Sequence, residues 1–164
     1  MRIGVIGDTH GDVASIRQAV ALAAEQIGTI DRWLHTGDFC QDAQYLSAVS
    51  GVPTIAVAGN CDGRTAAKPD EFVELAGLNL WLTHGHHQGV KQGLKELEAW
   101  ACRYEADAVI FGHTHQPFAE TQSGILYFNP GSAAMPRRGK SRTFGVIEIV
   151  EHPRKIIPRI ISIP

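Results

Sequence analysis

The chain has 164 residues, enough for one domain to bury most of its apolar surface without disulfides or structural metals. A hydrophobic content of 44% and a charged content of 20% are ordinary for a soluble globular protein. The formal net charge of −2 gives no reason to expect nucleic acid or an anionic membrane as an obligatory partner. No apolar run approaches the ~20 residues that a membrane span needs. We therefore expect a single cytoplasmic domain over residues 1–164.

The first part of the chain alternates between predicted strands and helices. The apolar, β-branched run Arg2–Gly7 is typical of a buried strand. Asp12 is placed to cap the helix that follows, which carries apolar residues at helical spacing until Gly28. The strands "RWLHTGD" and "PTIAVAGN" come next, with a short helix near Asp42–Val49 between them.

The second part of the chain favours strands. The segment "EFVELAGLNLWLTHG" predicts two strands joined by a tight turn at Ala76–Gly77, and a helix is predicted over Val90–Tyr104. "ADAVIFGHTH" predicts a further buried strand, and from Phe118 onward the pattern indicates β-hairpins, the last with its turn at Glu151–Arg154. Early alternation followed by hairpins predicts an α/β protein with mixed rather than purely parallel sheets.

Five polar clusters follow predicted strands, and their side chains are typical metal ligands. Because ligands of open α/β sheets gather beyond the carboxyl ends of the strands, the five clusters are expected to converge. The candidate ligands are Asp8 and His10, Asp38, Asn60, His84, and His113 with His115. If the backbone of His113–His115 is extended, its two imidazoles point the same way.

Each cluster alone has a simpler interpretation. An Asp or Asn beside a glycine is commonly a turn or cap residue, and a single histidine is more often a hydrogen-bonded core or surface residue than a ligand. Five such clusters together favour a metal site. Oxygen and imidazole ligands without thiolates suit Mn, Fe, Co, Ni or Zn, and seven ligands are about right for two ions that share one carboxylate.

The three cysteines, Cys40, Cys61 and Cys102, contain no CxxC pair, so they support neither a disulfide framework nor a thiolate zinc site.

The ordered series D-x-H, G-D, G-N, H-G, G-H-x-H resembles the calcineurin-like metallophosphoesterase superfamily from Asp8 to about Ser132. The short chain and the motifs "GNCD", "THGH" and "NPGS" are similar to its small bacterial and archaeal phosphodiesterases. The resemblance implies two mixed β-sheets packed as a sandwich and flanked by α-helices.

The resemblance also implies a binuclear site that contains two divalent ions, most often manganese. Asp8, His10 and His115 would bind one ion, and Asn60, His84 and His113 the other, with Asp38 between them. The implied activity is hydrolysis of small phosphodiesters by a hydroxide that bridges the metals. Phosphomonoesterase or nuclease activity at the same centre is the alternative among enzymes, and a non-catalytic protein-binding scaffold is the alternative from another class.

One position departs from the family pattern. Many relatives carry a histidine after the G-N pair that is thought to protonate the leaving group, whereas this chain has Cys61. We interpret Cys61 first as a small filler, second as a weak polar contact to substrate, and only third as a nucleophile or metal ligand. The loss predicts a preference for esters with good leaving groups, with His86 or His87 as partial substitutes for the missing acid.

Other polar residues have supporting roles in this prediction. Asp62 is interpreted as a carboxylate behind the ligands or a turn cap, and Asn129 as part of a turn near the site that could touch substrate. The segment "PRRGKSR" is commonly a solvated loop, although one or two of its cations could bind the far phosphate or base of a nucleotide. An apolar patch around Trp81 or Phe118 could join copies of the chain into a dimer or tetramer.

Overall fold

A computed structural model describes residues 1–164, which form ten strands and three helices. In chain order the elements are β1 (Arg2–Ile6), α1 (Val13–Gln26), β2 (Arg32–His35), α2 (Asp42–Ser50), β3 (Thr54–Ala56), β4 (Asp70–Leu75), β5 (Leu78–Thr83), α3 (Lys95–Arg103), β6 (Ala108–Ile110), β7 (Pro117–Gln122), β8 (Ile125–Pro130), β9 (Arg142–Glu151) and β10 (Arg154–Ile163).

The strands form two mixed five-stranded sheets, as predicted. The first sheet has the order β10-β9-β1-β2-β3. In it β1, β2 and β3 are parallel, β9 pairs antiparallel with β1, and β10 pairs antiparallel with β9. The second has the order β4-β5-β6-β8-β7, in which β5, β6 and β8 are parallel. Three parallel strands in each sheet therefore end at one edge, where polar loops leave them.

Three apolar clusters hold the layers together. The largest joins the facing sides of the two sheets, with residues such as Val5 and Leu34 from the first and Leu82 and Phe128 from the second. A second cluster packs α1 and α2 on the outer face of the first sheet, and a third packs α3 on the outer face of the second. The layer order helix, sheet, sheet, helix is the predicted sandwich.

The predicted end signals of α1 and the first hairpin are confirmed. Asp12 Oδ1 accepts hydrogen bonds from the backbone N–H groups of Ala14 and Ser15, each at 3.1 Å, and α1 ends two residues before Gly28. The turn between β4 and β5 has Ala76 and Gly77 at φ +50° and +70°, the left-handed pair that a two-residue hairpin requires.

The helix predicted to begin at Val90 begins five residues later, at Lys95. Gly89 and Gly93 have φ values of +59° and +141°, which are incompatible with a right-handed helix, so the chain forms turns here. Val90 is nevertheless buried in the same apolar cluster as α3. An apolar residue is therefore needed at this position, which fits the helical spacing of the sequence although the residue is not helical.

The expected patch around Trp81 differs from the prediction, because Trp81 is only 1% exposed. Phe72 and Tyr104 cover it and are the exposed aromatic residues there, at 57% and 41%. Phe118 is half-buried. No helix of this fold has both the length and the apolar character that crossing a membrane requires.

Candidate metal centre

All seven candidate ligands lie in loops that leave the carboxyl ends of strands. Asp8 and His10 follow β1, Asp38 follows β2, and Asn60 follows β3, so the first sheet supplies four of them. The remaining three come from the second sheet, with His84 directly after β5 and His113 and His115 after β6. The ligands meet because both sheets of the sandwich end at the same side.

One group of ligand atoms comes from Asp8, His10, Asp38 and His115, and these atoms lie within 4.8 Å of one another. Asp8 is fully buried, and neither of its carboxylate oxygens has a hydrogen-bond partner. His115 Nε2 lies 3.3 Å from Asp8 Oδ1 without the geometry of a hydrogen bond, and this contact raises the pKa of His115. A buried carboxylate without donors is costly unless a cation lies beside it.

A second group is centred on His84, whose ring is fully buried. Its Nδ1 faces the carbonyl oxygen of Thr36 at 2.7 Å, so Nδ1 carries the proton and Nε2 presents its lone pair. Three atoms lie around that lone pair: Asn60 Oδ1 at 3.1 Å, His113 Nδ1 at 3.1 Å and Asp38 Oδ1 at 3.4 Å. Such a set of electron-pair donors fits a bound cation.

Asp38 belongs to both groups. Its Oδ1 faces His84, and its Oδ2 lies 3.9 Å from His10 Nε2 in the other group. Burial alone would raise the pKa of Asp38. The neighbouring His84 and the hydrogen bond from the Cys61 backbone amide have a larger, opposite effect, so the pKa is lowered overall. The carboxylate is therefore ionised at neutral pH and lies between the two groups.

The backbone of the ligand loops is strained. Asp8, His10, Asp38, His113 and His115 all have φ between +48° and +67°, a region that non-glycine residues rarely adopt. Each such residue costs about 1–3 kcal/mol and persists only where the surrounding structure requires it. Five of the seven candidate ligands have this strained conformation, which indicates that the functional site lies at this edge of the sandwich.

The predicted geometry of His113 and His115 is wrong in one respect. Their backbone is not extended but left-handed at both positions, with φ of +67° and +57°. His113 belongs to the group around His84, and His115 to the group around Asp8. The two imidazoles therefore serve different groups instead of pointing together.

Residues 1–152 match the family described as the calcineurin-like phosphoesterase superfamily domain. The chain belongs to this superfamily. The two ligand groups described above, together with relatives named phosphodiesterase and metallophosphoesterase, support a metal-dependent phosphoester hydrolase.

Individual relatives of this phosphoesterase are also similar over most of its length. It is 33% identical to the phosphodiesterase MJ0936 of Methanocaldococcus jannaschii, over 80% of this chain and 83% of that protein. It is 28% identical to the probable metallophosphoesterase YsnB of Bacillus subtilis, over 91% and 85%. The solved structure of an archaeal phosphodiesterase has a TM-score of 0.75 and 26% identity, and the match covers 98% of this chain and all of that one.

A buried hydrogen-bonded chain, absent from the sequence prediction, supports the ligand loops of this phosphoesterase. His35 is fully buried, its Nε2 lies 3.0 Å from Thr9 Oγ1, and that hydroxyl donates to Asp42 Oδ2 at 2.6 Å. His35 Nδ1 accepts from the backbone N–H of Gly37 at 3.2 Å. His35 thus connects the residue between Asp8 and His10 to the residue before Asp38. The "HTGD" spacing was the only signal for it.

Asp62 is hydrogen-bonded to the backbone of two of the ligand loops. Its two oxygens accept from the backbone N–H groups of Cys40 and Gly59, each at 2.6 Å. It thereby ties the loop that contains Asn60 to the loop that contains Asp38.

Cys61 contributes its backbone more than its thiol. Its N–H donates to Asp38 Oδ1 at 2.9 Å, whereas its exposed Sγ accepts only from Asn60 Nδ2 at 3.4 Å. Burial of part of the side chain and the nearby Asp38 carboxylate raise the pKa of the thiol. The thiol is therefore protonated at neutral pH.

Asn129 is fully buried, and both polar ends of its side chain are engaged. Its Nδ2 donates to the carbonyl of Gly112 at 2.9 Å and to Thr114 Oγ1 at 3.1 Å, and its Oδ1 accepts from Gly131. The side chain therefore lies behind the loop that carries His113 and does not reach a substrate.

His86 lies beside the second group, with its ring centre 5.2 Å from that of His84 and 6.0 Å from that of His113. Its Nδ1 is buried without a hydrogen-bond partner. Burial, followed by the charges of His87 and His84, lowers its pKa. His87 stacks against His86 at 3.9 Å but is exposed.

Proposed function

We propose that this chain is a binuclear, metal-dependent phosphodiesterase for small phosphodiesters. The observation that supports this best is the shared carboxylate: Asp38 is a member of two adjacent ligand groups, and each group has the composition of a metal site. Two similar ions held side by side by one carboxylate are the arrangement that in-line displacement at phosphorus uses.

We assign one ion to Asp8, His10 and His115, the other to Asn60, His84 and His113, and both to Asp38. The residues present fit two cations. The buried carboxylate oxygens of Asp8 have no hydrogen-bond donor, and Asn60 Oδ1 and His113 Nδ1 both face His84 Nε2. The oxygen and nitrogen ligands favour borderline divalent ions, among which we propose manganese, with iron, nickel, cobalt or zinc as substitutes.

When bound, the two cations would polarise the phosphoryl oxygens and lower the pKa of water held between them. Hydrogen bonds within the protein orient the ligand side chains. The carbonyls of Thr36 and Met135 accept from Nδ1 of His84 and of His115 at 2.7 and 2.5 Å, so both rings present Nε2 to the centre. The backbone amide of Cys61 fixes one oxygen of Asp38.

His86 is our candidate for the group that contacts the leaving oxygen. It reaches the edge of the second group and has an unpartnered nitrogen. Its lowered pKa leaves the ring mostly neutral at pH 7, so it replaces a dedicated acid histidine only in part. The enzyme should therefore prefer diesters whose leaving groups need little protonation.

The decisive experiment is hydrolysis of a phosphoester panel by metal-stripped protein reconstituted with each candidate ion. We expect bis(p-nitrophenyl) phosphate to be cleaved faster than p-nitrophenyl phosphate, with Mn²⁺ the best or near-best ion. In Asp38→Asn, turnover should fall by more than about 100-fold, because a ligand of both ions is weakened. Protein that binds no metal, and whose properties Asp38→Asn leaves unchanged, would instead be the binding scaffold.

We also propose that residues 1–164 form one domain, since the largest apolar cluster draws on both sheets. A cytoplasmic location and a homo-oligomer remain predictions.

A further inference from the structure

The basic segment Pro136–Arg142 divides into cations with different surroundings. Arg142 is used structurally, since its guanidinium donates to Ser15 Oγ and to the carbonyl of Pro164. Arg138 and Lys140 are exposed, and their side chains make neither a hydrogen bond nor an ion pair. Arg137 differs from all three, because a hydrogen bond attaches it to a ligand loop.

Arg137 Nε donates to the backbone carbonyl of Thr114 at 2.8 Å. Thr114 stands between His113 and His115, one from each ligand group. Arg137 is thus a cation attached to the rim of the site.

The bond through Nε leaves both terminal nitrogens of Arg137 free. The guanidinium is exposed and no carboxylate lies within ion-pair distance of it. The planar guanidinium can donate from its two free terminal nitrogens to two oxygens of one phosphate. Its hydrogen bond from Nε to Thr114 holds it in place. Since the side chain is already anchored, less rotamer freedom is lost when an anion binds.

Charge indicates which anion this is. Two divalent ions with Asp8 and Asp38 would give the centre a charge of about +2, or about +1 once a hydroxide nucleophile is counted, and bound ions are the largest local charges in such a site. A simple diester carries one negative charge, which the centre alone already matches. A further cation at the rim is surplus for that substrate but complements a substrate with a second anionic group.

Resting on the proposed phosphodiesterase function, we propose that Arg137 binds a second phosphate of the substrate, so that the preferred substrates are phosphodiesters with an additional phosphate group. Arg137 is then a specificity-determining residue, and the reaction at the metal centre does not require it.

A matched pair of substrates tests this directly: thymidine 5′-(p-nitrophenyl phosphate) and its 3′-phosphorylated form. For the wild type we expect KM to be about 10-fold lower with the 3′-phosphate, as a charged hydrogen-bonded contact gives. Arg137→Ala should abolish this ratio, so that the two esters have the same KM. Arg138→Ala, the matched control for charge, should keep the ratio.

Calorimetry supplies a readout that does not depend on turnover. Metal-loaded wild type should bind thymidine 3′,5′-bisphosphate about 10-fold more tightly than thymidine 5′-monophosphate, and Arg137→Ala should bind them equally. Metal affinity, measured against a chelator, should be the same in both proteins, because His115 keeps its own bond to Met135.

Three results would overturn the inference: an unchanged ratio in Arg137→Ala, loss of the ratio in Arg138→Ala, or an equal loss with both substrates together with weaker metal binding. If neither ester is hydrolysed by the wild type, the proposed function is wrong, and the calorimetric preference still decides the role of Arg137.

Discussion

At the scale of single residues, Cys61 shows how a position can matter through its backbone. Its amide holds the shared carboxylate of Asp38, a function that any residue except proline could supply. Its thiol is exposed and, with a raised pKa, is protonated at neutral pH. The sulfur belongs to neither of the two ligand groups. The side chain is therefore open to substitution without loss of the metal centre.

Cys61→His should restore an acid beside the leaving group and raise the turnover of alkyl diesters relative to aryl diesters by about 10-fold or more, since a positioned acid contributes at least that much. The measurement is kcat/KM for methyl p-nitrophenyl phosphate against a dialkyl phosphodiester. Cys61→Ser is the control, because it keeps the amide and adds no imidazole. An unchanged ratio in Cys61→His would show that acid catalysis is not what this position lacks.

His35 supports the ligands without joining them. It bonds to Thr9 on one loop and to Gly37 on another, so removing its ring should loosen both. We expect His35→Ala to weaken Mn²⁺ binding by about 10-fold or more and to lower the free energy of unfolding by about 1–3 kcal/mol. His152→Ala, at an exposed histidine far along the chain, should change neither quantity. Metal titration and urea unfolding measure them.

The same histidine predicts a pH dependence. Burial lowers the pKa of His35 to about 4, below its ordinary value of 6.5, so the unfolded chain binds the extra proton first. Its contribution to stability is present above pH 6.5 and is lost as the pH falls toward 4. His35→Ala should therefore flatten the fall of the unfolding free energy over this window. A slope equal to that of the wild type would contradict the assignment.

At the scale of elements, the ligand loops lie so close together that side chains beyond the ligands do not fit. A Cβ on Gly59 would lie 2.3 Å from Asp38 Oδ1 and 2.4 Å from the Asp38 backbone nitrogen. Gly59 has an ordinary φ, so it is required for space and not for conformation. The loops after β2 and β3 thus depend on each other.

Gly59→Ala should displace Asp38 and reduce metal-dependent turnover by about 10-fold to 100-fold, as changes behind ligands commonly do. Gly51→Ala is the matched control: Gly51 ends α2 at φ +69° with open space around it, so its substitution should lower stability alone. Metal affinity and thermal melting of the two variants separate these effects. Normal metal affinity in Gly59→Ala would mean that the loops can move apart.

The elements themselves were largely predictable. The strand and helix types were predicted from apolar periodicity, Asp12 marked the start of α1, and Ala76–Gly77 marked a hairpin. The start of α3 was not predictable, because Val90 is buried by contacts with distant residues while Gly89 and Gly93 keep the chain in turns.

At the scale of the whole molecule, the candidate metal centre draws on both sheets. The first sheet supplies four candidate ligands and the second three, so a bound ion would cross-link them. At 100 times its dissociation constant, Mn²⁺ should add about 2.7 kcal/mol of stability, which corresponds to a rise in Tm of roughly 5–10 °C for a chain of this size. Differential scanning calorimetry with and without a chelator measures the shift.

In Asp38→Asn most of that shift should disappear, because both ligand groups lose their shared carboxylate. Tyr104→Ala is a control that removes an exposed aromatic residue far from the centre and should keep the shift, whatever its effect on basal Tm. An equal shift in wild type and Asp38→Asn would place the stabilising ion elsewhere.

Local sequence patterns predict the chemistry of the site, because its seven ligand-type residues follow strands in a fixed order, and periodicity together with turn residues is enough to place them at strand ends. How these residues are grouped depends on the tertiary structure. Asp38 lies between two groups and His113 and His115 separate because their backbone is left-handed, a strained state that packing of the two sheets maintains. The His35–Thr9–Asp42 chain and the bond of Arg137 to Thr114 also required the structure. These contacts join residues distant in sequence, and no local pattern records such pairs.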